Sequence, residues 1–387
     1  MMNLQWTAQW PPKPACRRKS SRFIWLLRLR PKVKKQILPY NAYVLVALLL
    51  ILPLFSSAQD SHFTNLYAVR SVVNPALASA YKGRSQAVFN YRRQWSSLGK
   101  AFPFQSYAFQ LSHKMELENN DLFAVELRAL KDQAPGNSFV QNQVLLGINY
   151  KKLLSEGYNT TQFLSFGFSA GAGQNKANWN GLWFGNQFNF ESGLPDVSIN
   201  SGEAINNLLN AITYPDLNIG LVYESYYDRM SISTGLSISH VTRPDISFAP
   251  GLEIMYNRKY TAYVGFNFWS KKDLLIVFTP RYTKHGAFHE FTSKVGLTYA
   301  APDIYDISFG LALAPRMVQN FEGLGIESLS FQIFIEKRSY RFTVSYDATM
   351  SRLSDFNSGR GGFEFSFVYT RLTENDKSVF ERFFHYL

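Results

Sequence analysis

Met230-Ser231-Ile232-Ser233-Thr234-Gly235-Leu236-Ser237-Ile238-Ser239 alternates without a break between large or β-branched residues and small polar ones. On a helix the two sets would mix around the circumference, whereas on a strand successive side chains point to opposite faces. The segment therefore reads as a strand with one apolar face and one face of serine and glycine. Leu164, Phe166, Phe168, Ala170 and Ala172 repeat the pattern against Ser165, Gly167, Ser169, Gly171 and Gly173.

Working outward from this stretch, the same parity recurs along most of the chain. It is carried by Tyr107/Phe109/Leu111, Phe123/Val125/Leu127, Val144/Leu146/Ile148/Tyr150, Leu217/Ile219/Leu221/Tyr223 and Ala262/Val264/Phe266/Phe268. Later come Val295/Leu297/Tyr299, Ile307/Phe309/Leu311/Leu313, Leu329/Phe331/Ile333/Ile335, Phe342/Val344/Tyr346 and Phe363/Phe365/Phe367/Tyr369. Each run is close to the roughly 9 to 11 residues that cross a bilayer as a tilted strand. A soluble β-sandwich shows the same alternation, but its strands average about five or six residues. Strands facing lipid must close on themselves, because no water is there to satisfy an open edge. Twelve segments are clear and others weaker, and bacterial barrels are even-numbered. The expectation is an all-β transmembrane antiparallel barrel of about 14 strands, within the range 12 to 16.

Composition agrees. Of 387 residues, 33 are Phe and 22 Tyr, and only 18% are charged, a balance that suits a wall with one face in lipid and one in a wet lumen. The formal charge of +12 is concentrated in residues 1–58, which hold ten Lys/Arg and no Asp or Glu. The rest of the chain is nearly neutral, so a basic surface for a nucleic-acid partner has little support. No small-molecule substrate is expected either. Basic residues ending at Lys34-Lys35, an apolar run from Val44 to Leu54 and then Ser56-Ser57-Ala58 ahead of Gln59 form a signal peptide. The apolar run is too short for a spanning helix. Cys16, the single cysteine, lies in this leader, which leaves no disulfide and no Cys-ligated metal in the mature chain. The expected organisation is 1–58 signal peptide, 59–83 an N-terminal periplasmic or plug segment, 84–372 the barrel and 373–387 a C-terminal tail. A second polar stretch, Phe190 to Pro215, is either a surface loop or luminal, with a short helix possible over Ala204 to Leu209.

Three constellations imitate chemistry. Gly167-Phe168-Ser169-Ala170-Gly171 matches the nucleophile elbow, but it sits within a strand and lacks the strand-to-helix turn that exposes such a serine. His285 and His289 have the spacing of a helical zinc pair without the glutamate or the helix. Both read as loop residues. Gly359-Arg360-Gly361-Gly362 opens a strand where a phosphate site needs a helix N-terminus, and reads as a hairpin turn. No catalytic residue, cofactor or metal is expected.

The segment after the leader carries a different signal. Gln59-Asp60, Phe63, Asn74-Pro75-Ala76 and Tyr91-Arg92-Arg93-Gln94-Trp95 are followed by Pro215-Asp216-Leu217-Asn218-Ile219-Gly220, then Gly235 to His240 with Pro244, then Ser345-Tyr346-Asp347 and Gly362-Phe363-Glu364. In this order the chain resembles the PorP/SprF family of type IX secretion system membrane proteins. The resemblance implies an outer-membrane barrel of a Gram-negative, Bacteroidetes-type cell. Its partners would be membrane lipid, other secretion subunits and a secreted surface protein, and its role would be docking or export support, including gliding adhesins in some relatives. A passive channel or solute transporter is the alternative. The motif residues Asn74, Pro75, Arg92, Gln94, Trp95, Pro215, Asp216, Gly220, His240, Pro244 and Asp347 are the candidate plug or partner-contact positions. By parity Arg92 and Gln94 face the lumen, where a buried guanidinium needs an acceptor, and Asp216 and Asp347 are its candidates. Pro75 fixes its own φ and restricts Asn74, so the pair should end an extended segment.

Overall fold

A computed structural model describes residues 62–372 except 66–67, 97–102, 180–181, 183, 190–191, 197, 201, 203–206, 271–272, 302–306 and 321–322. The strands are β1 (Ser85–Gln94), β2 (Phe104–Glu116), β3 (Leu122–Gln133), β4 (Phe139–Glu156), β5 (Thr160–Ala177), β6 (Phe188–Asn189), β7 (Leu194–Pro195) and β8 (Ala211–Tyr227). They continue with β9 (Met230–Ser239), β10 (Lys259–Trp269), β11 (Leu274–His285), β12 (Phe288–Ala301), β13 (Ile307–Asn320), β14 (Gly323–Lys337), β15 (Tyr340–Thr349) and β16 (Arg360–Arg371). β6 and β7 form a small hairpin in the connection between β5 and β8, and the other fourteen close into one antiparallel barrel. Closure is made by β1, which pairs with β2 on one side and β16 on the other, Ser85 opposite both His113 and Arg371. The fourteen-strand expectation is met. The two strands beyond the twelve clear segments are β1 and β11, whose parity is interrupted by Arg92-Arg93 and by Pro280-Arg281.

The polarity of this barrel is that of a protein turned inside out. Leu146, Leu236 and Ile333 on the outer face are 67%, 58% and 64% exposed, while Asn90, Lys151, Glu364 and Ser366 on the inner face are at most 1% exposed. In water such an outer surface would be a continuous aggregation-prone patch, and in a bilayer it is the solvated one. The faces of β9 divide as the parity requires, with Ser231, Ser233, Ser237 and Ser239 buried inward and Leu236 outward.

Both ends of the barrel chain, Ser85 and Arg371, lie at one rim, together with the turns 228–229 and 338–339. The long connections 178–210 and 240–258 lie at the opposite rim. Short turns on the periplasmic side and long loops outside are the general order in such barrels, which orients the molecule. His285 and His289 fall in β11 and β12 on either side of a tight hairpin, not in a loop. The hairpin expected over 359–362 is narrower, because a helical turn at Ser354–Asn357 precedes it and β16 already starts at Arg360. Within the expected helix at 204–209, residues 204–206 lie outside the described residues, as do the leader and the tail.

Candidate functional site

The lumen is occupied by the described residues of the chain's own segment 62–84. This segment has one helical turn at Arg70–Val73 and one 3-10 turn at Pro75–Leu77 before it bends at Gly83 into β1. Asn74 does not end an extended segment. It is a single extended residue (φ −157°, ψ 119°) between the two turns, and its side chain accepts from the Ala76 N–H at 2.9 Å as an N-cap, with Pro75 in the first position, where its missing N–H costs nothing.

The segment is bonded to the wall along its length. Asn74 Nδ2 donates to the carbonyls of Leu221 and Leu236 at 3.2 and 3.0 Å, Ser237 Oγ donates to Val73 O at 2.6 Å, and Asn149 Nδ2 donates to Ala76 O at 2.9 Å. This close approach is possible because the wall beneath it is glycine. A Cβ at Gly220 would meet the Asn74 carboxamide, and one at Gly167 would meet the Pro75-Ala76 backbone. Apolar contacts follow the same path. Phe63 and Val69 pack on Val88 and Val368, Ala80 packs with Leu122, Phe163 and Tyr226, and Ala76 packs with Val222 and Tyr263. At the periplasmic rim Lys114 donates to Tyr81 O at 2.5 Å and its ammonium lies 4.9 Å from the Tyr81 ring centre.

Deeper in the lumen stands an ion cluster. Arg92 of β1 contacts Asp347 of β15 at 2.6 Å and Glu364 of β16 at 3.2 Å, all three almost fully buried. The two carboxylates also bind the segment. Glu364 accepts from the backbone N–H groups of Thr64 (2.7 Å) and Asn65 (2.8 Å), and the Thr64 hydroxyl donates to Asp347. Arg92 also contacts the Thr64 hydroxyl. A register shift at Asp347/Ala348 in β15, and another at Arg316/Met317 in β13, fall beside residues of this cluster, and Arg316 lies 3.9 Å from Asp347. Gln94 Oε1 is at 3.5 Å from Arg92, and Trp95 stands edge-on to Phe104.

Of the two acceptors expected for Arg92, the structure chooses Asp347. Asp216 lies elsewhere, toward the extracellular rim, where it accepts from Gln143 at 2.5 Å and pairs with His240 Nδ1 at 2.9 Å. The His240 ring stacks against Tyr256 (4.2 Å between centres) and faces His285 (5.9 Å). Tyr256 donates its N–H to Pro244 O at 2.8 Å, and its buried side chain accepts from Gln141 Nε2 at 3.0 Å, so the loop 240–258 turns Tyr256 inward on this side. Pro215 is outward-facing at the rim end of β8. Nine of the eleven candidate positions thus fall into two groups, Asn74, Pro75, Arg92, Gln94, Gly220 and Asp347 around the segment, and Asp216 with His240 and Pro244 of the loop; Trp95 and Pro215 belong to neither.

Residues missed from sequence are Thr64, Asn65 and Gly167, the pair Lys151 and Glu224, and the group His62, Arg281 and Glu290. Lys151 contacts Glu224 and lies over Phe163, while Arg281 meets Glu290 at 2.7 Å and His62 meets it at 3.3 Å. Parity alone places Lys151, Glu224 and Glu364 inward, beside outward Tyr150, Tyr223 and Phe363, and that signal was available. Ser169 is buried mid-strand with its hydroxyl accepting from Asn218 at 3.2 Å. Among the described residues no group of three or more His, Cys, Asp or Glu side chains is arranged to hold a metal ion.

A lipid-facing barrel whose lumen is filled by its own N-terminal segment defines a closed outer-membrane β-barrel protein. Comparison with known proteins gives the particular kind. The sequence matches the type IX secretion system membrane protein PorP/SprF over residues 55–369, and the chain belongs to that family. No curated protein matches it. Solved structures with a similar backbone include the toluene transporter TodX of Pseudomonas putida, 10% identical with a TM-score of 0.41, covering 81% of this chain and 94% of that one. Another is CdiB from Acinetobacter baumannii, 7% identical with a TM-score of 0.41, where the match covers 74% of this chain but only 60% of CdiB.

Proposed function

We propose that this barrel is a non-catalytic docking component of the type IX machinery, which positions partner subunits and supports export of a surface protein without making or breaking a bond. The observation that carries this reading is the filled lumen. The segment bearing the Asn74-Pro75-Ala76 motif is bonded to β4, β8, β9, β15 and β16, and two cavities left beside it measure about 100 and 80 Å³. A passive channel needs a continuous aqueous path, and these volumes hold a few waters each.

The test is Asp216→Ala, which leaves His240 without its carboxylate and loosens the loop 240–258 while the lipid-facing wall is untouched. Expected are normal insertion and heat-modifiable migration, with reduced co-purification of secretion subunits in mild detergent and less surface protein exported. Raised conductance in planar bilayers with export intact would overturn the docking reading in favour of a channel. Residues 1–58 are proposed to be removed on export and 373–387 to form a tail. The position of His62 inside the lumen supports a chain that starts a few residues before it. Intact mass of the membrane-fraction protein should correspond to a start near Gln59.

A further inference from the structure

The described residues of the segment 62–84 cross the barrel from one rim to the other. At its start His62 meets Glu290, the third residue of β12, and the Thr64 hydroxyl donates to Asp347, the third residue from the end of β15. Both strand ends lie at the extracellular rim, since Phe288 pairs with His285, His285 with Lys259 and Lys259 with Ser239, where the connection 240–258 begins. Asn65 then reaches Glu364 and Ser366 of β16, and Ser71 reaches Gln110, midway along β2. Asn74 and Ala76 are bonded farther down, to β8, β9 and β4. Ala80 packs on Leu122, the first residue of β3, and Tyr81 O accepts from Lys114 near the periplasmic end of β2. Only then does Gly83, at φ +75°, turn the chain back into β1.

The two ends of this thread are unequal. Its lower end is fixed, because the Arg84 N–H donates to Arg371 O at 3.1 Å and Arg84 O accepts from the Lys114 N–H at 2.8 Å. At the upper end Phe63 and Asn65 are buried at 2% and 4%, whereas the His62 side chain is 36% exposed, so the chain meets solvent there. Removal of the leader after Ala58 leaves three residues ahead of His62. Three extended residues reach about 10 Å. The apolar band of an outer-membrane barrel is about 25 Å tall, and the lumen beneath is filled, so these residues have no way back to the periplasm. With Arg84 held at the periplasmic rim, the segment clears the lumen only by drawing its free end inward through the barrel and swinging out at Gly83. A bulky group on the free end blocks that passage.

We propose that the mature N-terminus stands at the cell-surface mouth of the barrel, and that a folded protein bound to it there, too wide to enter the lumen, locks the barrel shut. This rests on the leader removal proposed above and on the orientation set by the loops, and it does not require docking of periplasmic subunits.

The experiment uses single cysteines in the full chain, whose only natural cysteine is Cys16 of the leader. Ser61→Cys is compared with Ser192→Cys in the long extracellular connection and with Asp228→Cys in a periplasmic turn, both exposed, and the unmodified protein gives the background. A membrane-impermeant maleimide applied to intact cells should label Ser61→Cys as strongly as Ser192→Cys, and Asp228→Cys only after the outer membrane is permeabilised. Labelling of Ser61→Cys only after permeabilisation, or of Asp228→Cys on intact cells, would overturn the placement. Intact mass of the same samples reads leader removal separately, so a retained leader is told apart from a misplaced end. For the lock, the biotinylated proteins are reconstituted in planar bilayers and urea is raised until they conduct. Streptavidin added on the side of the long connections should move the opening of Ser61→Cys to higher urea and leave that of Ser192→Cys where it was. An unchanged opening point for Ser61→Cys would remove the lock.

Discussion

Arg92 on β1 reaches over β16 to place its guanidinium 2.6 Å from Asp347 on β15, two strands away, with Gly362 of the intervening strand directly beneath it. Glu364 of that same strand takes the other nitrogen at 3.2 Å. One cation therefore ties three strands across the closure of the barrel, and both carboxylates hold Thr64 of the luminal segment.

Arg92→Ala should be the most damaging single change in this cluster. It leaves two buried carboxylates without their cation, and losing one partner of a buried pair costs about 3–5 kcal/mol. Asp347→Asn should cost less, since Arg92 keeps Glu364. Denaturant unfolding in detergent, run as a double-mutant cycle, should give a coupling of about 0.5–3 kcal/mol between the two positions. Strict additivity would mean that the contact contributes nothing.

Gly220→Val drives a side chain into the space of the Asn74 carboxamide. The wall on its lipid side is unaffected, so the barrel should insert and migrate normally while the segment loses its seat. Protease should then cleave within 62–84, and single-channel conductance should rise from a closed baseline. Asn74→Ala removes two hydrogen bonds to the wall without a clash and should weaken the seat by about 1 kcal/mol per bond. A silent, protease-resistant Gly220→Val protein would show that the segment is held by something other than this contact.

Leu236→Arg places a charge on the lipid face and should cost about 2–4 kcal/mol if it lies near the bilayer midplane. Inward Ser233, which borders a cavity, should accept Asn at little cost. Ser237 is not equally tolerant despite sharing that face, because its hydroxyl donates to Val73 O at 2.6 Å, and Ser237→Ala should lose about 1 kcal/mol. Refolding titrations in lipid vesicles separate the three, and equal costs at 233 and 236 would contradict the assignment of faces.

Much of this molecule is legible in its residues taken a few at a time. Period-two alternation is a property of the strand backbone itself, so Met230 to Ser239 and its eleven repeats reveal which side chains face lipid, and the need to satisfy every edge in lipid then closes the sheet. β1 and β11 were harder to see because Arg92-Arg93 and Pro280-Arg281 break the pattern, one run for an ion cluster and the other beside Glu290. Parity also turned Arg92 inward correctly, and it would have turned Glu364, Lys151 and Glu224 inward by the same reasoning.

What parity cannot supply is a partner. Whether Arg92 meets Asp216 or Asp347 depends on strand order around a closed ring, on the register of every pair between them and on the shift at Asp347/Ala348, none of which is a local property. The same holds for residues 62–84, whose composition suits a surface strand of loop as well as a lumen. Their place inside follows from the complementary wall: glycine at 167 and 220 where the backbone approaches, serine at 237 and asparagine at 149 where carbonyls need donors, and a carboxylate at 364 where two N–H groups need an acceptor. Those residues are separated by up to 300 positions in the chain and become one surface only when the barrel closes.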